Sequence, residues 1–552
     1  MTQTHASRTN TPSTPNVPQH RTASTNTRDH TAEDALASPS VAIIMVTWNR
    51  SAMVRRAIES VLAQRGVDLG AVHLVVIDNA STDGTTNELD RWLTPERTIE
   101  NTTAHAHEPS FASTSTHEAN SAGLSSVTLV RNAANLGGTG GFNTGFQVVE
   151  RFIATPRPVD FVWLLDDDAV ADEHALAALV DAAAADQHTG IVGSRAVDIA
   201  DRRTTYETTI YYDPARGRMA DTPHEGHRLE ADHRAWASAI GGTRGDRDFT
   251  GVREVDVASA CSLLARWSVV ERIGYWDSRY FIYCDDADWC LRVGRAGFRV
   301  VCALDAVVYH TPWFEKLTPT RRYYAERNAV WTMRKGLSGR ALRRSTASWM
   351  HAILRESLAA GLRRRRFQAE ILRRTAHDAA VNRPGKLDYA EPQREPLRDA
   401  LRRLDLMQRN ATIVLFCSTP EQRELAATVM DAIERDDADA PRFIFMTRKS
   451  EGQTTDANVM HRLAAQSDVW ARRSFFARTP EACIVFDLTN DVPLLRCPIT
   501  LHIDHRTPEQ CQVERDGVIS RVAFVGRWCI TAARAAWYCI RMPRQRPEAP
   551  FG

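Results

Sequence analysis

The chain has 552 residues, is 43% hydrophobic and 25% charged, and carries 69 basic against 68 acidic side chains for a formal net charge of +1. A chain this long should hold two or more domains, its balanced charge leaves no global footprint for nucleic acid, and no run of about eighteen apolar residues supplies a membrane-crossing helix. Ten cysteines stand at scattered spacings without a CxxC pair, which reads as thiols in a reducing compartment rather than a disulfide frame or zinc site, and the N-terminus does not read as a secretory signal.

Residues 1–38 are mostly Thr, Ser, Pro, Asn and His. They offer too little apolar surface to fold and are expected to be disordered. The run Val41 to Val46 then predicts a buried strand ending on Thr47-Trp48-Asn49-Arg50, followed by a helix from about Met53 to Gln64. Leu74 to Ile77 predicts a second strand, ending on Asp78-Asn79-Ala80-Ser81-Thr82-Asp83-Gly84. Unalternating apolar strands joined by a helix argue for a parallel sheet covered on both faces. In such sheets ligands sit beyond the carboxyl ends of the strands, so Thr47, Asn49, Arg50 and Asp78 become candidate site residues. Residues 95–126, rich in Thr, Ser, Ala and His, read as a surface-loop insertion. Next comes Asn135-Leu136-Gly137-Gly138-Thr139-Gly140-Gly141-Phe142. Glycines at 137, 138 and 140 let backbone approach a ligand and expose N–H groups to its oxygens, and the same run also suits a flexible turn.

The apolar run Phe161 to Leu165 stops on Asp166, Asp167 and Asp168. Alternate side chains of a strand share a face, so Asp166 and Asp168 point the same way. Two such carboxylates repel unless a positive group lies between them, and oxygen ligands of this kind suit Mg²⁺ or Mn²⁺. An acidic turn leading into a helix from about Glu173 has the same appearance. Residues 200–254 are long and polar, with Tyr206, Tyr211 and Tyr212, and read as a cover over a substrate or as an irregular surface excursion. A second acid group, Asp285, Asp286 and Asp288, opens a helix-like stretch after Tyr280-Phe281-Ile282-Tyr283-Cys284, where Asp285 also suits a helix cap. A strand from Val300 to Tyr309 then delivers His310.

The ordered set Val46-Thr47-Trp48-Asn49-Arg50, Asp78 to Gly84 and Asp166-Asp167-Asp168 resembles the family 2 glycosyltransferases. With the glycine run, the segment Tyr280 to Arg292 and His310, it is similar within that family to bacterial galactofuranosyltransferases and related rhamnosyltransferases. The resemblance implies a GT-A fold, a Rossmann-like mixed α/β sheet, and an inverting, metal-dependent transferase using a nucleotide-sugar donor. It implies that Thr47, Asn49, Arg50, Asp78, Asn135, the glycines and Asp167 serve the donor. Asp166, Asp168 and His310 would hold Mn²⁺ or Mg²⁺, and Asp286, with Asp285 and Asp288 beside it, would be the base. Direct displacement needs a base on the acceptor hydroxyl and a Lewis acid on the departing diphosphate, so two separate acid groups suit it. Polymerising galactofuranosyl enzymes carry paired tryptophans before the base. Here the matching stretch is Ala258 to Leu264, with Trp267, Trp276 and Trp289 as the aromatic candidates for sugar stacking.

The expected organisation is a tail over 1–38, a GT-A domain over 39–335, a basic helical region over 336–405 and a small α/β unit over 406–552. Arg340 to Arg374 carries ten arginines against Glu356 and Glu370, interleaved with Leu342, Trp349, Ile353, Leu354 and Phe367. Such a pattern suits a helix lying on an anionic membrane or a solvated basic face packed on the catalytic domain, and the segment Val518 to Ile540 suits a second interfacial helix or one packed on the unit before it. The last unit should be a small parallel sheet built on strands Thr412–Cys417, Phe443–Met446 and Cys483–Leu488. The expected protein is cytoplasmic and peripheral at the inner membrane face. It would take a UDP-sugar, galactofuranose first, to a cell-envelope glycan or lipid-linked glycan. The weighed alternatives are a dTDP-rhamnose donor, a non-catalytic glycan-binding scaffold and a nucleotidyltransferase.

Overall fold

In the computed structural model, β1 (Val41–Thr47) lies at the centre of a mixed sheet, flanked on both sides by parallel neighbours. The described residues are 38–103, 110–116, 123–155, 158–362, 365–389, 392–407, 411–417, 420–434, 441–447, 459–463, 480–486, 497–503, 507–515 and 518–542; the expected N-terminal tail lies outside them, save its last residue. After β1 come α1 (Ser51–Leu62), β2 (Val72–Asp78), α2 (Thr85–Leu93), β3 (Arg97–Asn101), β4 (Phe111–Thr116), β5 (Ser126–Asn132) and α3 (Gly137–Val148). They are followed by β6 (Phe161–Asp166), β7 (Val170–Ala171), α4 (Ala175–Ala184), β8 (Thr189–Asp198), β9 (Thr205–Glu207), β10 (Tyr211–Asp213), β11 (Arg218–Ala220) and α5 (Glu230–Ile240). Then come β12 (Val252–Val255), β13 (Ser262–Arg266), α6 (Trp267–Ile273), α7 (Asp285–Arg295), β14 (Arg299–His310) and α8 (Pro319–Gly336). The sheet runs β12-β14-β8-β13-β6-β1-β2-β5-β3-β4. Strands β6, β1, β2, β5 and β3 are parallel, whereas β13 runs antiparallel between β6 and β8. Two apolar layers cover the sheet, Ile43 and Met45 entering one and Ala42 and Ile44 the other. That accounts for the unalternating strands.

Two expected loops are structured. The 95–126 insertion contributes β3, with Ile99 fully buried, and β4 to the sheet edge. Both strands are hidden in the sequence because Thr, a good strand former, stands there among Ser and other residues common in loops. The 200–254 stretch gives β9, paired with β8, the β10–β11 hairpin and α5.

The glycine run is the start of α3, packed directly on β1. A Cβ at Gly141 would lie 2.4 Å from Val46 Cγ1, and one at Gly145 would lie 2.3 Å from Ile44 Cγ2. The glycines therefore set the helix–sheet spacing.

Beyond α8, α9 (Gly339–Leu362) and α10 (Arg366–Ala380) form a helical layer, and α11 (Leu397–Arg403) leads into the last unit. Leu342, Trp349, Ile353 and Leu354 of α9 are buried against α8, α10 and the C-terminal helix Val518–Arg541. The apolar side of this basic region therefore faces protein, not an outer surface. The last unit contains β15 (Glu395–Pro396), β16 (Thr412–Cys417), α12 (Pro420–Glu434), β17 (Arg442–Thr447), β18 (Val459–Leu463), β19 (Ala482–Phe486), β20 (Ile499–Ile503) and β21 (Gln510–Arg515). Their order is β15-β21-β20-β19-β16-β17-β18, parallel from β20 to β18. Of the nine cysteines whose side chains are described, seven are buried and none is joined to another in a disulfide.

Gly141→Ala should lower stability by about 1–3 kcal/mol despite alanine's better helix propensity, because Val46 is a buried branched side chain on a central strand. Gly138, where the nearest atom to an added Cβ is 3.9 Å away, is the control, and urea midpoints of the two variants decide the comparison.

Candidate active site

The register of the sheet brings the predicted strand ends together. Thr47 of β1 stands opposite Asp78 of β2, and Val46 stands opposite Asp166 of β6. Asp78 is buried and organises the loop after β2: its carboxylate accepts from the Ser81 amide at 3.1 Å and from the Thr86 hydroxyl. Asn49, at φ 53°, closes the neighbouring loop by accepting from the Thr82 amide at 2.7 Å, while its own amide donates to the Ser81 hydroxyl at 2.9 Å. Asn135 accepts from the Gly137 amide, and the Thr139 amide donates to Phe281 O. A Cβ at Gly137 (φ 75°) would lie 2.1 Å from Phe281 O. Gly137, Gly138 and Gly140 stand in the first turn of α3 rather than in a flexible turn, and Gly137 is pressed against the segment before α7.

At the end of β6, ligand atoms of Asp166, Asp168 and His310 lie within 4.8 Å of one another. His310 closes β14, and its Nδ1 is 2.7 Å from the Tyr206 hydroxyl on β9. Lys316 Nζ lies 2.7 Å from His310 Nε2 and 2.6 Å from Asp168 Oδ2. His310 Nε2 is 3.2 Å from Asp168 Oδ1 as well. Against Asp168 Oδ1, Nε2–H would donate and Nδ1 would accept from Tyr206. Against the ammonium, which has protons to give and no lone pair, Nε2 accepts and Nδ1–H donates to Tyr206. The latter is the tautomer a metal ligand needs. Arg50 reaches across from the start of α1 to Asp167 at 2.9 Å and Asp168 at 2.7 Å. Burial raises the Asp168 pKa, but His310, Lys316 and Arg50 outweigh it and hold the group well below the usual range. Burial pushes Asp167 up to about 6 against the pull of Arg50. Two carboxylates and an imidazole presented through Nε2, with positive charge already drawn into their midst, fit a hard divalent cation such as Mn²⁺ or Mg²⁺.

The second acid group stands at the start of α7. Phe281, Tyr283 and Cys284 have φ values of 70°, 67° and 62°, a run that non-glycine residues adopt at a cost. Asn328 Nδ2 of α8 holds that run by donating to Tyr280 O, Ile282 O and Tyr283 O, joined by Arg327 at Tyr280 O. Asp286 emerges beyond it, part-buried. One of its oxygens accepts from Ala287 N at 2.7 Å and the other from Ala260 N at 3.2 Å. Desolvation in this setting raises its pKa despite those two amides. Asp285 accepts from the Thr139 hydroxyl at 2.5 Å, and burial followed by the Asp286 charge pushes it up to about 7. Asp288 is not brought to the same face: its oxygens pair with Arg292 at 3.1 Å and Lys335 at 2.7 Å, and it is 1% exposed. It anchors the helix. Trp267, Trp276 and Trp289 are likewise core residues, 5%, 4% and 0% exposed.

One short segment joins the two acid groups. Cys261 O accepts from the Asp166 amide at 3.1 Å, and Ala260 N donates to Asp286. Ser259, immediately before, is hydrogen-bonded to Glu207 of β9, whose carboxyl is pushed up to about 7 by burial and by Asp286. Sequence reasoning missed Glu207, the positioning role of Tyr206, and Lys316. Only Lys316 left a signal, as one of just four lysines in the chain, six residues after His310.

This mixed sheet, with an acid triplet at its carboxyl edge and a second acid at a facing helix start, is that of a nucleotide-sugar transferase of GT-A fold. Residues 39–333 match the family model described as glycosyltransferase like family 2, and the chain belongs to that family and is a glycosyltransferase. Among solved structures, it is similar to GalNAc-T7 with UDP, GalNAc and Mn²⁺ (13% identity over 54% of this chain and 48% of that one, TM-score 0.37). It is similar also to the mannosyltransferase PcManGT from Pyrobaculum calidifontis in complex with GDP-Man and Mn²⁺ (17%, 65% and 79%, TM-score 0.35). A third is S. aureus TarS (13%, 62% and 49%, TM-score 0.34). The matched region spans about half the length of GalNAc-T7 and of TarS. No curated protein matches the chain.

Tyr206→Phe removes the hydroxyl that fixes His310 while keeping the ring. Mn²⁺ affinity, measured by titration with paramagnetic detection of free ion, should fall about 10- to 100-fold with little change in melting temperature. Unaltered affinity would remove Tyr206 from the site.

Proposed function

We propose that the chain transfers a sugar with inversion from a nucleoside-diphosphate donor, UDP-galactofuranose first, to a cell-envelope glycan or lipid-linked glycan. The observation that carries this reading is the separation of the acids. Asp166, Asp168 and His310 form one cluster, in which the Asp166 amide donates to Cys261 O, and Asp286 belongs to another, its carboxylate accepting from Ala260 N. A base cannot also be bound to the leaving-group cation, so the two functions need two addresses.

On the donor side, Thr47, Asn49 and Asp78 shape the rim where the nucleoside would lie, with Asp78 fixing the Ser81–Thr86 loop. A divalent cation held by Asp166, Asp168 and His310 would supply charge neutralisation for the departing diphosphate. Arg50 and Lys316, already engaged with these acids, orient them and lend positive charge. On the acceptor side, Asp286 takes the hydroxyl proton. Its two backbone donors fix the carboxylate in place, and its raised pKa makes it a stronger base than an ordinary aspartate. Asp285, held by Thr139 and hydrogen-bonded to the start of α7, positions Asp286. Galactofuranose is favoured over rhamnose by the resemblance carried by the Tyr280–Arg292 segment and His310.

Asp286→Asn should abolish transfer while leaving donor binding nearly unchanged, whereas Asp168→Ala should weaken metal-dependent donor binding. Calorimetry with Mn²⁺ and UDP, dTDP or GDP, with and without chelator, separates the cases. Chelator-sensitive binding of UDP alone supports a UDP-sugar donor, a dTDP preference moves the donor to rhamnose, and loss of UDP binding in Asp286→Asn counts against the base assignment.

The pH profile follows from the same group. Because the ionised form of Asp286 is the base and its pKa is raised, kcat/KM should fall as pH drops through a value above the ordinary aspartate range of about 4. An acid limb at or below that range would show that a different group takes the proton.

A further inference from the structure

The C-terminal helix Val518–Arg541 has two unlike faces. Its inner face, with Phe524, Thr531 and Ala535 buried, packs on α9 and α10, and Trp528 Nε1 donates to Leu354 O at 2.9 Å. At about 100° per residue, Val522, Cys529, Ile530, Trp537 and Ile540 fall on the opposite side. There Val522 is 67%, Ile530 56%, Trp537 56% and Ile540 71% exposed. Arg527, Arg534 and Arg541 recur every seven residues and form a row along one border of this stripe. Arg527 lies 3.8 Å from Glu370, Arg534 is bonded to His377, and Arg541 lies 4.0 Å over the Trp537 ring. The helix contains four arginines and no acidic residue. No helix among the described residues is long and apolar enough to cross a membrane.

We infer that this outward face is an in-plane docking surface for an anionic lipid bilayer. An apolar stripe bordered by arginines places Trp537, Ile530 and Ile540 at the acyl boundary while the guanidinium groups meet headgroup phosphates. Charge complementarity selects this occupant over a second copy of the chain. Pairing the stripe with itself would bring arginine rows together with no acid on the helix to answer them. The surface differs from the α9–α10 region, whose apolar side chains are internal. The inference does not rest on the donor or acceptor reading, since vesicle binding is read without transfer.

The test is co-sedimentation of the full chain with phosphatidylcholine vesicles and with phosphatidylcholine–phosphatidylglycerol vesicles, alongside light scattering for oligomeric state. Binding to the anionic vesicles, weakened by salt and reduced about tenfold or more by Trp537→Glu with Ile540→Glu, is expected. Arg534→Gln with Arg541→Gln should weaken it less. An unchanged melting temperature in these variants shows that the fold is intact. Absence of binding to anionic vesicles, or a stable dimer that the Trp537→Glu, Ile540→Glu variant dissolves, would overturn the assignment.

Discussion

Three adjacent carboxylates at a sheet edge are tolerable only if something positive meets them. Removing a charge from water costs several kcal/mol unless it is paired and hydrogen-bonded, and the Asp167 and Asp168 side chains are 8% and 6% exposed. The fold answers from three separate stretches of chain. Arg50 comes from the start of α1, Lys316 from the loop after β14, His310 from the end of β14, and Tyr206 from β9, orienting His310. Each of these elements is pinned to one point by the same electrostatic demand. The polar 200–254 stretch is therefore not a surface excursion, because the strand that fixes His310 starts inside it.

The second acid group has its own constraint. Asp286 is presented by a turn in which Phe281, Tyr283 and Cys284 occupy the left-handed region, at a cost on the order of 1–3 kcal/mol each. Such a turn persists only where its surroundings over-determine it. Here the buried Asn328 and Arg327 of α8 do so through four carbonyl contacts. Helix α8 is held in turn by the helical layer beyond it: Arg322 pairs with Glu356 of α9, and the Tyr323 hydroxyl donates to Asp378 of α10 at 2.7 Å. The basic helices thus brace the turn that carries the proposed base, as well as lying next to the catalytic sheet.

These constraints explain what was legible in the sequence. Strand ends were legible because a buried parallel strand must be apolar until it stops, so the residues at the stop are conspicuous: Thr47, Asp78, Asp166. The last unit was legible for the same reason, β16 running over Thr412–Cys417 as expected. The glycines were ambiguous because close packing and ligand approach both demand a missing Cβ, and for Gly141 the 2.4 Å separation from Val46 shows packing to be one cause. Asp288 shared its helix turn with Asp285 and Asp286, and the Arg292 and Lys335 partners that claim it lie four and forty-seven residues further along the chain. Tyr206 and Glu207 had no local signal, since their places come from the pairing of β9 with β8.

The residues Ala258 to Cys261, which join the two acid groups, are all small. Their size has a packing cause. A Cβ at Gly193 would lie 2.7 Å from Ala258 Cβ, and Ala258 N donates to Cys290 Sγ on α7 at 3.4 Å. Large side chains at that point would part β8 from α7. They would also displace the backbone that contacts Asp166 on one side and Asp286 on the other. Main-chain contacts across this segment couple the position of Asp286 to that of Asp166. In this chain the short link between the two halves of the chemistry is possible because the side chains there are small.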